Sequence, residues 1–246
     1  MTVSQDDLTL AHRLADAAGA AIRPFFRHAL AVTDKGAAKG ALFDPVTEAD
    51  KGAEVAIRTL LKAERPQDGI VGEEYGSEAG QSGRNWVLDP IDGTRAFITG
   101  QPLWGTLIAL AEGTRPVLGV IDQPVLDERF IGASGEAFLF AGGQKTVLKT
   151  RACTKLSDAV VMTTHPWDYF TKAEAAAFRS VSDKARMSRF GGDCYAYAAL
   201  AMGFVDLVIE SNLKQWDVAA LIPVVEGAGG VMCNWQGGDC ALGGQV

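Results

Sequence analysis

The amino-acid sequence predicts a mixed α/β fold made of two halves with different architectures. In the first half, two amphipathic helical stretches precede a succession of strand-like runs separated by turn signals, which is typical of an α+β layer. Beyond Gly142-Gly143 the strand and helix patterns alternate, which indicates an α/β half with a mostly parallel sheet. We therefore expect one compact unit with an N-terminal half, residues 1–142, and a C-terminal half, residues 143–246.

The first helix has an N-terminal capping signal. Ser4 is suited to cap it, and Asp7, three residues later, completes a capping box. Apolar residues then recur at helical spacing as far as Phe26, which predicts a long amphipathic helix with one buried face. Pro24 either kinks this helix or ends it early.

The second helix begins with the same kind of signal. Thr47 and Asp50 form a capping box, and the helix ends before Pro66. Residues 34–43, between the two helices, are rich in glycine and lysine and have weak periodicity, so we expect a mobile loop. This loop is also a candidate for closure over a bound substrate.

Short apolar runs bounded by turn signals predict the remaining elements. In the first half, strands are predicted at 69–73, 86–89, 104–111, 117–122, 129–133 and 137–140. In the second half, strands are predicted at 159–163, 187–190, 204–210 and 230–234. Helices are predicted there at 172–182, 194–202 and 217–226, the last of them bent at Pro223.

Composition argues against several classes of protein. The net charge of −7 argues against nucleic acid as a partner, since nucleic-acid-binding domains carry a basic surface. No apolar run approaches the roughly 20 residues that span a bilayer, and residues 1–7 lack the features of a signal peptide. The 4 cysteines have no C-x-x-C spacing and are interpreted as reduced thiols. We therefore expect a cytoplasmic protein that binds neither nucleic acid nor membrane.

The most informative stretch is a turn that follows a predicted buried strand. Asp89, Asp92 and Thr94 lie within the sequence Asp-Pro-Ile-Asp-Gly-Thr. Two carboxylates so close repel each other unless a positive charge lies between them, and oxygen ligands without imidazole suit Mg²⁺. The backbone N–H groups of such a turn attract an anion. Taken alone, the string also fits an ordinary surface turn.

Two other stretches bring further carboxylates. A strand-like run ends at Glu73 and Glu74, and Asp217 opens a predicted helix within Trp-Asp-Val-Ala-Ala. These three stretches, in this order, resemble the inositol monophosphatase superfamily of Mg²⁺-dependent phosphatases. Residues 92–106 and 190–197 look like its histidinol-phosphatase branch.

The resemblance spans nearly the whole chain and has consequences for fold and cofactor. It implies a layered αβαβα sandwich of the inositol monophosphatase/fructose-1,6-bisphosphatase type, with the active site between two halves. It also implies a core strand near the end of the sequence, around residues 243–246, and a homodimer. The implied cofactor is Mg²⁺, with two or three ions in each active site.

The resemblance assigns the metal ligands. They would be Glu73, Asp89, the backbone carbonyl of Ile91, Asp92 and Asp217, with Asp89 bridging two ions. Because successive side chains of a strand point to opposite faces, only one of the two adjacent glutamates faces the metals. The motif selects Glu73, which leaves Glu74 in a supporting or solvated position.

The resemblance also assigns the catalytic residues, which would be Thr94, Asp50 and Glu73. Thr94, supported by Asp50, would position a metal-activated water for direct in-line attack on phosphorus, without a phosphoenzyme. The N–H groups of Gly93 and Thr94 would receive phosphate oxygens. The capping box with Thr47 gives Asp50 a complete structural explanation as well.

Substrate specificity depends on groups beyond the metals. Asp193 and Glu210 are the acidic candidates, and the resemblance implies that the position of Glu210 contacts a substrate hydroxyl. A second carboxylate suits a cationic alcohol such as histidinol, which carries an ammonium group and an imidazole. Alternatively, Asp193 caps the helix beginning at Cys194. Arg95 is a third candidate, which pairs with Asp193 or Glu210 or reaches across a dimer interface.

Four aromatic residues lie beside these motifs. Tyr195 and Tyr197 are two residues apart on a predicted helix, so they cannot share a face and at most one of them lines the pocket. Trp104 and Trp216 are expected to pack in the core.

The motifs together predict a Mg²⁺-dependent phosphatase that converts histidinol phosphate to L-histidinol and phosphate in histidine biosynthesis. The alternative is an inositol-1-phosphate phosphatase, or a broader sugar or nucleotide phosphomonoesterase of the same superfamily. From a different class, a non-catalytic metal- or phosphate-binding regulator with the same fold also fits the motifs.

Overall fold

The computed structural model describes residues 3–29, 31–36 and 45–246. The helices are α1 (Gln5–Ile22), α2 (Glu48–Glu64), α3 (Thr94–Ile98), α4 (Pro166–Tyr169), α5 (Lys172–Ser182), α6 (Asp193–Ala201), α7 (Gln215–Val218) and α8 (Leu221–Gly227). The strands are β1 (Val32–Asp34), β2 (Pro45–Thr47), β3 (Gly69–Gly72), β4 (Gly76–Glu78), β5 (Arg84–Asp92), β6 (Gly105–Glu112), β7 (Arg115–Gln123), β8 (Glu128–Ala133), β9 (Glu136–Ala141), β10 (Gln144–Val147), β11 (Val160–Thr163), β12 (Met187–Phe190) and β13 (Leu207–Val208).

Both predicted capping boxes are confirmed. The N–H of Asp7 donates to Ser4 Oγ at 3.1 Å, and the N–H of Ser4 donates back to Asp7 Oδ2 at 3.1 Å. At the start of α2, the N–H and hydroxyl of Thr47 donate to Asp50 Oδ2 at 2.9 and 2.6 Å. α1 ends just before Pro24, so the proline stops this helix rather than kinking it.

The large sheet has eight strands in the order β10-β9-β8-β7-β6-β5-β3-β4. β3 and β5 are parallel, and the other neighbours are antiparallel, as predicted for the succession of strands in the first half. β10 extends this sheet a few residues beyond Gly142-Gly143. The division of the chain at that point stays a prediction.

The elements stack in the layered order that the resemblance implies. α1 and α2 pack on one face of the large sheet, and α6 and α8 pack against its strands through a second apolar cluster. α6 also contacts the small sheet β12-β11-β13, whose strands are parallel, as predicted. Phe178 of α5 packs against Val161 of this small sheet. The predicted αβαβα sandwich is confirmed.

Three predicted elements of the C-terminal half are wrong or too long. Within 204–210, only Leu207–Val208 forms a strand. The helix predicted at 217–226 is interrupted at Ala219-Ala220, and Pro223 lies in the first turn of α8, where the missing N–H has no helical partner to lose. Residues 230–234 form no strand, because the N–H of Asn234 closes a turn onto the carbonyl of Gly238.

Several short elements carry no strong sequence pattern and were not predicted: β1, β2, β4, β10, α3 and α4. The predicted strand around 243–246 is reduced to isolated pairing, in which Val246 exchanges backbone hydrogen bonds with Glu210. Residues 37–43 of the predicted mobile loop lie outside the described residues. Within the described part of the chain, every helix is too short or too polar to cross a membrane.

Candidate active site

The Asp-Pro-Ile-Asp turn interrupts β5 and is fixed by its own backbone. The pairing of β5 with β6 shifts between Asp89 and Asp92, which turns the backbone out of the regular ladder. Inside the turn, the N–H of Ile91 donates to Asp89 Oδ1 at 3.1 Å. The hydroxyl of Thr106 donates to the carbonyl of Pro90 at 2.8 Å. The two aspartates are therefore held in place before any ligand binds.

A third aspartate joins them from the other half of the chain. Asp217 lies in α7, where its Oδ2 accepts a hydrogen bond from the N–H of Lys214 at 2.6 Å. One carboxylate oxygen from each of Asp89, Asp92 and Asp217 lies within 4.8 Å of the other two. The structure thus brings together three of the predicted ligands, although 125 residues separate Asp92 from Asp217 in the sequence.

For each of these three aspartates, burial has the largest effect on the pKa and a neighbouring carboxylate has the next largest. Burial, followed by the charge of Asp193, raises the pKa of Asp92 to about 7. Burial and then Asp92 raise the pKa of Asp217 to about 8. Burial and the charges of Glu73 and Asp92 raise the pKa of Asp89 well above its ordinary value. Such a group of oxygen donors fits a divalent cation such as Mg²⁺.

Glu73 lines the same cavity but has a different partner. Among the described residues it lies outside the group of carboxylates that meets the 4.8 Å distance. Its Oε1 accepts a hydrogen bond from Lys35 Nζ at 2.8 Å, and the same ammonium lies 2.9 Å from Glu74 Oε1. The Glu74 side chain is only 4% exposed, so the predicted solvated position is wrong, and a supporting role stays a prediction.

The turn that follows Asp92 contains Gly93 and Thr94, the two predicted phosphate-binding residues. Gly93 has a φ of +89°, a left-handed conformation that favours glycine, and it is the N-cap of α3. The first amides of a helix have no partner within the helix, so those of Gly93 and Thr94 are suited to an anion. The hydroxyl of Thr94 donates to the carbonyl of Ile91 at 3.1 Å.

Asp50 lies close enough to the cluster for its charge to act on Glu73 and Asp89. Burial raises the pKa of Asp50 to about 6. Within the described residues, its side-chain hydrogen bonds join it to Thr47, and none joins it to Thr94. Its supporting role for Thr94 therefore stays a prediction, whereas its capping role is confirmed.

Asp193, at the start of α6, lies against the turn at Gly93. A Cβ atom at Gly93 would lie 3.0 Å from the Asp193 Cβ, so the Asp193 side chain packs tightly against this turn. Asp193 itself has a φ of +43°, which is uncommon for a residue with a side chain. Its side chain makes no capping hydrogen bond, and Gly192 occupies the N-cap position. The capping interpretation of Asp193 is therefore wrong.

Glu210 forms the wall beside Asp193. Its Oε1 accepts hydrogen bonds from the N–H and the hydroxyl of Thr164 at 2.7 and 2.9 Å, and its Oε2 accepts one from Thr163 at 3.2 Å. Burial raises the pKa of Glu210 to about 7. Burial, followed by the charge of Glu210, also raises the pKa of Asp193 to about 7. The two carboxyls form a second acidic pair, separate from the three clustered aspartates.

Arg95 pairs with a residue that the sequence interpretation missed. Its Nη1 donates to Asp168 Oδ2 at 2.8 Å, and its guanidinium carbon lies 5.2 Å from the ring centre of Tyr169. The charge of Arg95 acts on Asp193 from this position. The sequence gives no signal for this pair, because 73 residues separate Arg95 from Asp168.

The cavity that contains these groups has a volume of about 770 Å³. Tyr197 lines it, whereas the hydroxyl of Tyr195 donates to Glu128 Oε2 at 2.5 Å. Trp104 is fully buried in the core, as predicted. Trp216 packs against the second apolar cluster and also lines the cavity. Among the described residues, six carboxyl groups and the three cationic side chains Lys35, Arg95 and Lys214 line the cavity.

The chain is similar to known proteins over most of its length. The chain is 48% identical over 226 residues to the bifunctional phosphatase IMPL2, chloroplastic, of Arabidopsis thaliana. The matched region covers 91% of this chain and 63% of that protein. The chain therefore spans less than two thirds of that relative's length. A histidinol-phosphatase of Streptomyces coelicolor is 38% identical over 239 residues, covering 94% of this chain and 88% of the relative.

Solved structures and a family model extend the likeness to the whole fold. An inositol monophosphatase from Zymomonas mobilis superposes with a TM-score of 0.85 at 46% identity, covering 100% of this chain and 93% of the other. The Thermotoga maritima IMPase superposes with a TM-score of 0.83 at 26% identity, covering 98% and 91%. The model of the inositol monophosphatase family matches residues 4–245. The chain belongs to the inositol monophosphatase family.

Proposed function

We propose that this protein is a Mg²⁺-dependent phosphatase that hydrolyses histidinol phosphate to L-histidinol and phosphate, a reaction of histidine biosynthesis. Family membership supports a phosphoric monoester hydrolase. Histidinol-phosphatases of Streptomyces coelicolor and Mycobacterium tuberculosis are 38% and 35% identical to the chain, which supports the narrower substrate. The observation that carries the proposal is the second acidic pair, Asp193 and Glu210, in the same cavity as the clustered aspartates.

The donor set fits Mg²⁺, because it offers carboxylate and carbonyl oxygens and no imidazole. Glu73, Asp89 and the carbonyl of Ile91 would hold one ion, and Asp89, Asp92 and Asp217 would hold a second. Bound Mg²⁺ would make a nearby water more acidic and stabilise negative charge on the leaving oxygen. The described lining of the cavity has twice as many carboxyls as cationic side chains and repels a phosphate dianion, so added cations would also support substrate binding.

The protein's own groups would then orient the reactants. The N–H groups of Gly93 and Thr94 would bind phosphate oxygens, and the Thr94 hydroxyl, with Asp50 behind it, would hold the water in line with the departing oxygen. Water would attack phosphorus directly, so the ester P–O bond breaks without a phosphoenzyme. Glu73 would serve both as a ligand and as a neighbour of the reacting water.

Specificity would come from the alcohol side of the cavity. Asp193 and Glu210 carry negative charge where the leaving alcohol lies, and Arg95 is held by Asp168. Histidinol carries an ammonium group and a protonatable imidazole, which carboxylates bind through charge-assisted hydrogen bonds. Inositol carries only neutral hydroxyls, so it gains less from a second carboxylate.

The experiment that tests the proposal compares kcat/KM for histidinol phosphate and inositol 1-phosphate in the presence of Mg²⁺. We expect a preference of at least about tenfold for histidinol phosphate, since each charge-assisted hydrogen bond contributes roughly 1.5–3 kcal/mol. The solved Zymomonas mobilis relative, an inositol monophosphatase, makes inositol 1-phosphate the second candidate. A tenfold preference in the other direction would reject histidinol phosphate as the substrate.

A non-catalytic role is the alternative from another class. Two relatives at 30% and 32% identity are named Nus factor SuhB, from Haemophilus influenzae and Pasteurella multocida. If the purified protein releases phosphate and Asp92→Asn abolishes this release while the circular dichroism spectrum is unchanged, the catalytic proposal stands. Release that persists in this variant would point to a contaminating phosphatase. The homodimer and the cytoplasmic location stay predictions.

A further inference from the structure

Glu174, in the first turn of α5, joins three separate parts of the molecule. Its Oε1 accepts hydrogen bonds from Ser211 Oγ at 2.7 Å and from Gln245 Nε2 at 2.6 Å. Its Oε2 accepts one from the N–H of Thr171 at 2.7 Å, which belongs to the capping box of α5. Hydrogen bonds, of which that from Gln245 has the largest effect, lower the pKa of Glu174 to about 2. Glu174 is not among the described residues that line the cavity, so the proposed reaction does not use it.

Ser211 belongs to a loop that carries two predicted residues of the site. This site loop, residues 210–217, begins with Glu210 and ends with Asp217, and both of them line the cavity. Residues 211–214 line it as well, yet they belong to none of the named helices and strands. The position of these residues therefore depends on contacts with other parts of the chain, and the hydrogen bond to Glu174 is one such contact.

The residue after Ser211 has a backbone conformation that its neighbours must hold in place. Asn212 has a φ of +65°, which is uncommon for a residue with a side chain and persists only where the surrounding structure fixes it. On one side, the preceding serine donates to Glu174. On the other side, Leu213 exchanges backbone hydrogen bonds with Gly244 at 3.1 and 2.8 Å. Glu174 contributes to both sides, since it also binds Gln245, the neighbour of Gly244.

The other end of the site loop orients a predicted metal ligand. The N–H of Lys214 donates to Asp217 Oδ2 at 2.6 Å, and the N–H of Asp217 donates back to the carbonyl of Lys214 at 3.2 Å. Asp217 is one of the three clustered aspartates. A shift of residues 211–214 would move the Lys214 N–H and turn the Asp217 carboxylate with it. Hydrogen-bond partners that orient a metal ligand affect metal affinity in this way.

Building on the Mg²⁺-dependent phosphatase function proposed above, we propose that Glu174 is a positioning residue for the metal side of the site. Through Ser211 and Gln245, it holds the site loop against residues 243–246 and keeps the Asp217 carboxylate in the aspartate cluster. Glu174 itself contacts neither the substrate nor a metal ion. Loss of its carboxylate therefore weakens Mg²⁺ binding although all the proposed ligands are still present.

Two further variants separate this positioning role from the capping of α5. Thr171 Oγ1 accepts a hydrogen bond from the N–H of Glu174 at 3.3 Å. Thr171→Ala removes this capping bond but retains the contacts of the Glu174 carboxylate with Ser211 and Gln245. Ser211→Ala removes the contact with the site loop and retains the capping box. The two variants thus divide the interactions of Glu174 between the helix and the loop.

The test measures the Kd of Mg²⁺ by isothermal titration calorimetry on the full chain. We expect Kd to rise about tenfold in Glu174→Ala and about fivefold in Ser211→Ala, because the orientation of a metal ligand is lost. The double variant should show no more than about the tenfold rise of Glu174→Ala, since both residues act through one contact. Thr171→Ala should melt at a lower temperature but keep Kd within about twofold, because it loses only a helix cap.

Phosphate release from histidinol phosphate provides a second measurement. At a Mg²⁺ concentration near the Kd of the unmodified protein, Glu174→Ala should lose activity by roughly the same factor as its affinity. At saturating Mg²⁺, its kcat should recover to within about threefold and its KM to within about twofold, since Glu174 does not contact the alcohol.

Several results would overturn the inference. An unchanged Mg²⁺ Kd in Ser211→Ala, an equal rise in Thr171→Ala, or multiplied effects in the double variant would each reject a positioning role for Glu174. Should Glu174→Ala fail to fold, the comparison of Ser211→Ala with Thr171→Ala decides. If the unmodified protein binds Mg²⁺ but releases no phosphate, the phosphatase proposal fails, and the Kd values still decide the role of Glu174. If it binds no Mg²⁺, the metal site and the positioning role are both rejected.

Discussion

Asp7 in the first turn of α1 and Asp89 in the interrupted end of β5 are each 2% exposed, yet their surroundings differ in charge. Asp7 accepts hydrogen bonds from Arg84 at 2.8 Å and from the backbone of Ser4 at 3.1 Å. Asp89 accepts one from the N–H of Ile91, and its charged neighbours are other carboxylates. The same residue type is thus buried with a cationic partner in one place and among like charges in the other.

The two pKa values respond in opposite directions. Burial alone raises the pKa of a carboxyl, but hydrogen bonds and charge from Arg84 and Ser4 outweigh burial and lower the pKa of Asp7 to about 2. Nothing in the described protein outweighs burial at Asp89, where further carboxylates raise the pKa still more. Burying like charges destabilises a fold, so an uncompensated cluster indicates a site whose cation comes from solution.

The largest expected effect separates these two carboxyls. Asp89→Asn should lower kcat/KM for phosphate release at least about 10³-fold, because the side chain that we propose as the bridge between two metal ions loses its charge. In the absence of metal, the same variant should melt at a higher temperature than the unmodified protein, because repulsion within the cluster decreases. Activity assays and thermal melts with EDTA measure the two effects.

Asp7→Asn is the matched control for this prediction, since it removes a carboxyl of equal burial that pairs with Arg84, at the other end of β5. It should retain activity and melt at a lower temperature. If Asp89→Asn also melted at a lower temperature without metal, the Asp89 carboxylate would be stabilised by the protein itself. Asp89 and Asp7 would then not differ in the way that we infer.

The second prediction concerns the backbone beneath the cluster. Gly93→Ala places a Cβ at a φ of +89° and within 3.0 Å of the Asp193 Cβ, so the turn must move. A displacement of about 1 Å in a catalytic turn lowers rates by roughly 10²-fold, and we expect a loss of that size in kcat/KM.

Gly52→Ala is the control, because it lies on the exposed face of α2 with no atom within 4 Å of the new Cβ. It should leave activity unchanged and raise stability by about 0.5–1 kcal/mol. Unaltered activity of Gly93→Ala would show that the turn tolerates a side chain.

Local signals made much of this molecule predictable. The capping boxes at Ser4 and Thr47 depend on residues three positions apart, and the structure contains both. Asp89 and Asp92 belong to one short turn, so their proximity follows from the sequence. Asp217 could be added only through its resemblance to a family, because no local rule links two segments so far apart.

Partners that depend on tertiary packing were out of reach of the sequence. Lys35 lies in a stretch without periodicity, yet it pairs with both Glu73 and Glu74. Arg95 pairs with Asp168, whereas the sequence suggested Asp193, Glu210 or a dimer interface as alternatives. A charged side chain chooses among several carboxylates by position in space, which spacing along the chain does not specify. The pattern of apolar residues likewise does not predict the break between α7 and α8.

The third prediction uses pH to measure how much the charge of Asp7 stabilises the fold. The pKa of Asp7 in the folded protein is about 2, below the ordinary value of 3.8, so its stabilisation is present above pH 3.8 and is lost as the pH falls through 2. At pH 7, Asp7→Asn should lower the free energy of unfolding by about 2 kcal/mol, as expected for charge-assisted hydrogen bonds. Urea denaturation of both proteins should show this difference narrowing as the pH falls from about 5 to about 3. A difference that stays constant over this range would mean that the charge of Asp7 contributes nothing.

The smallest expected effect concerns Lys35, a cation that the protein places next to the predicted metal ligand Glu73. The Lys35 ammonium lies 2.8 Å from Glu73 Oε1, so a metal ion that binds this oxygen competes with it. The ion pair is partly exposed and contributes about 1 kcal/mol. Lys35→Met should therefore tighten Mg²⁺ binding roughly fivefold in isothermal titration calorimetry. It should also lower the melting temperature without metal, since Glu73 and Glu74 would face each other unpaired.

Lys62→Met is the control for Lys35→Met, because Lys62 pairs with Glu78 on the surface and should leave Mg²⁺ affinity unchanged. Weaker Mg²⁺ binding in Lys35→Met would mean that Lys35 orients Glu73 for the metal instead of competing with it. In that case Lys35 would stabilise the Glu73 carboxylate as Arg84 stabilises that of Asp7. Glu73 would then be a carboxylate of the site whose charge the protein itself neutralises. Tighter Mg²⁺ binding would mean that Glu73, like Asp89, is a carboxylate that a metal ion stabilises.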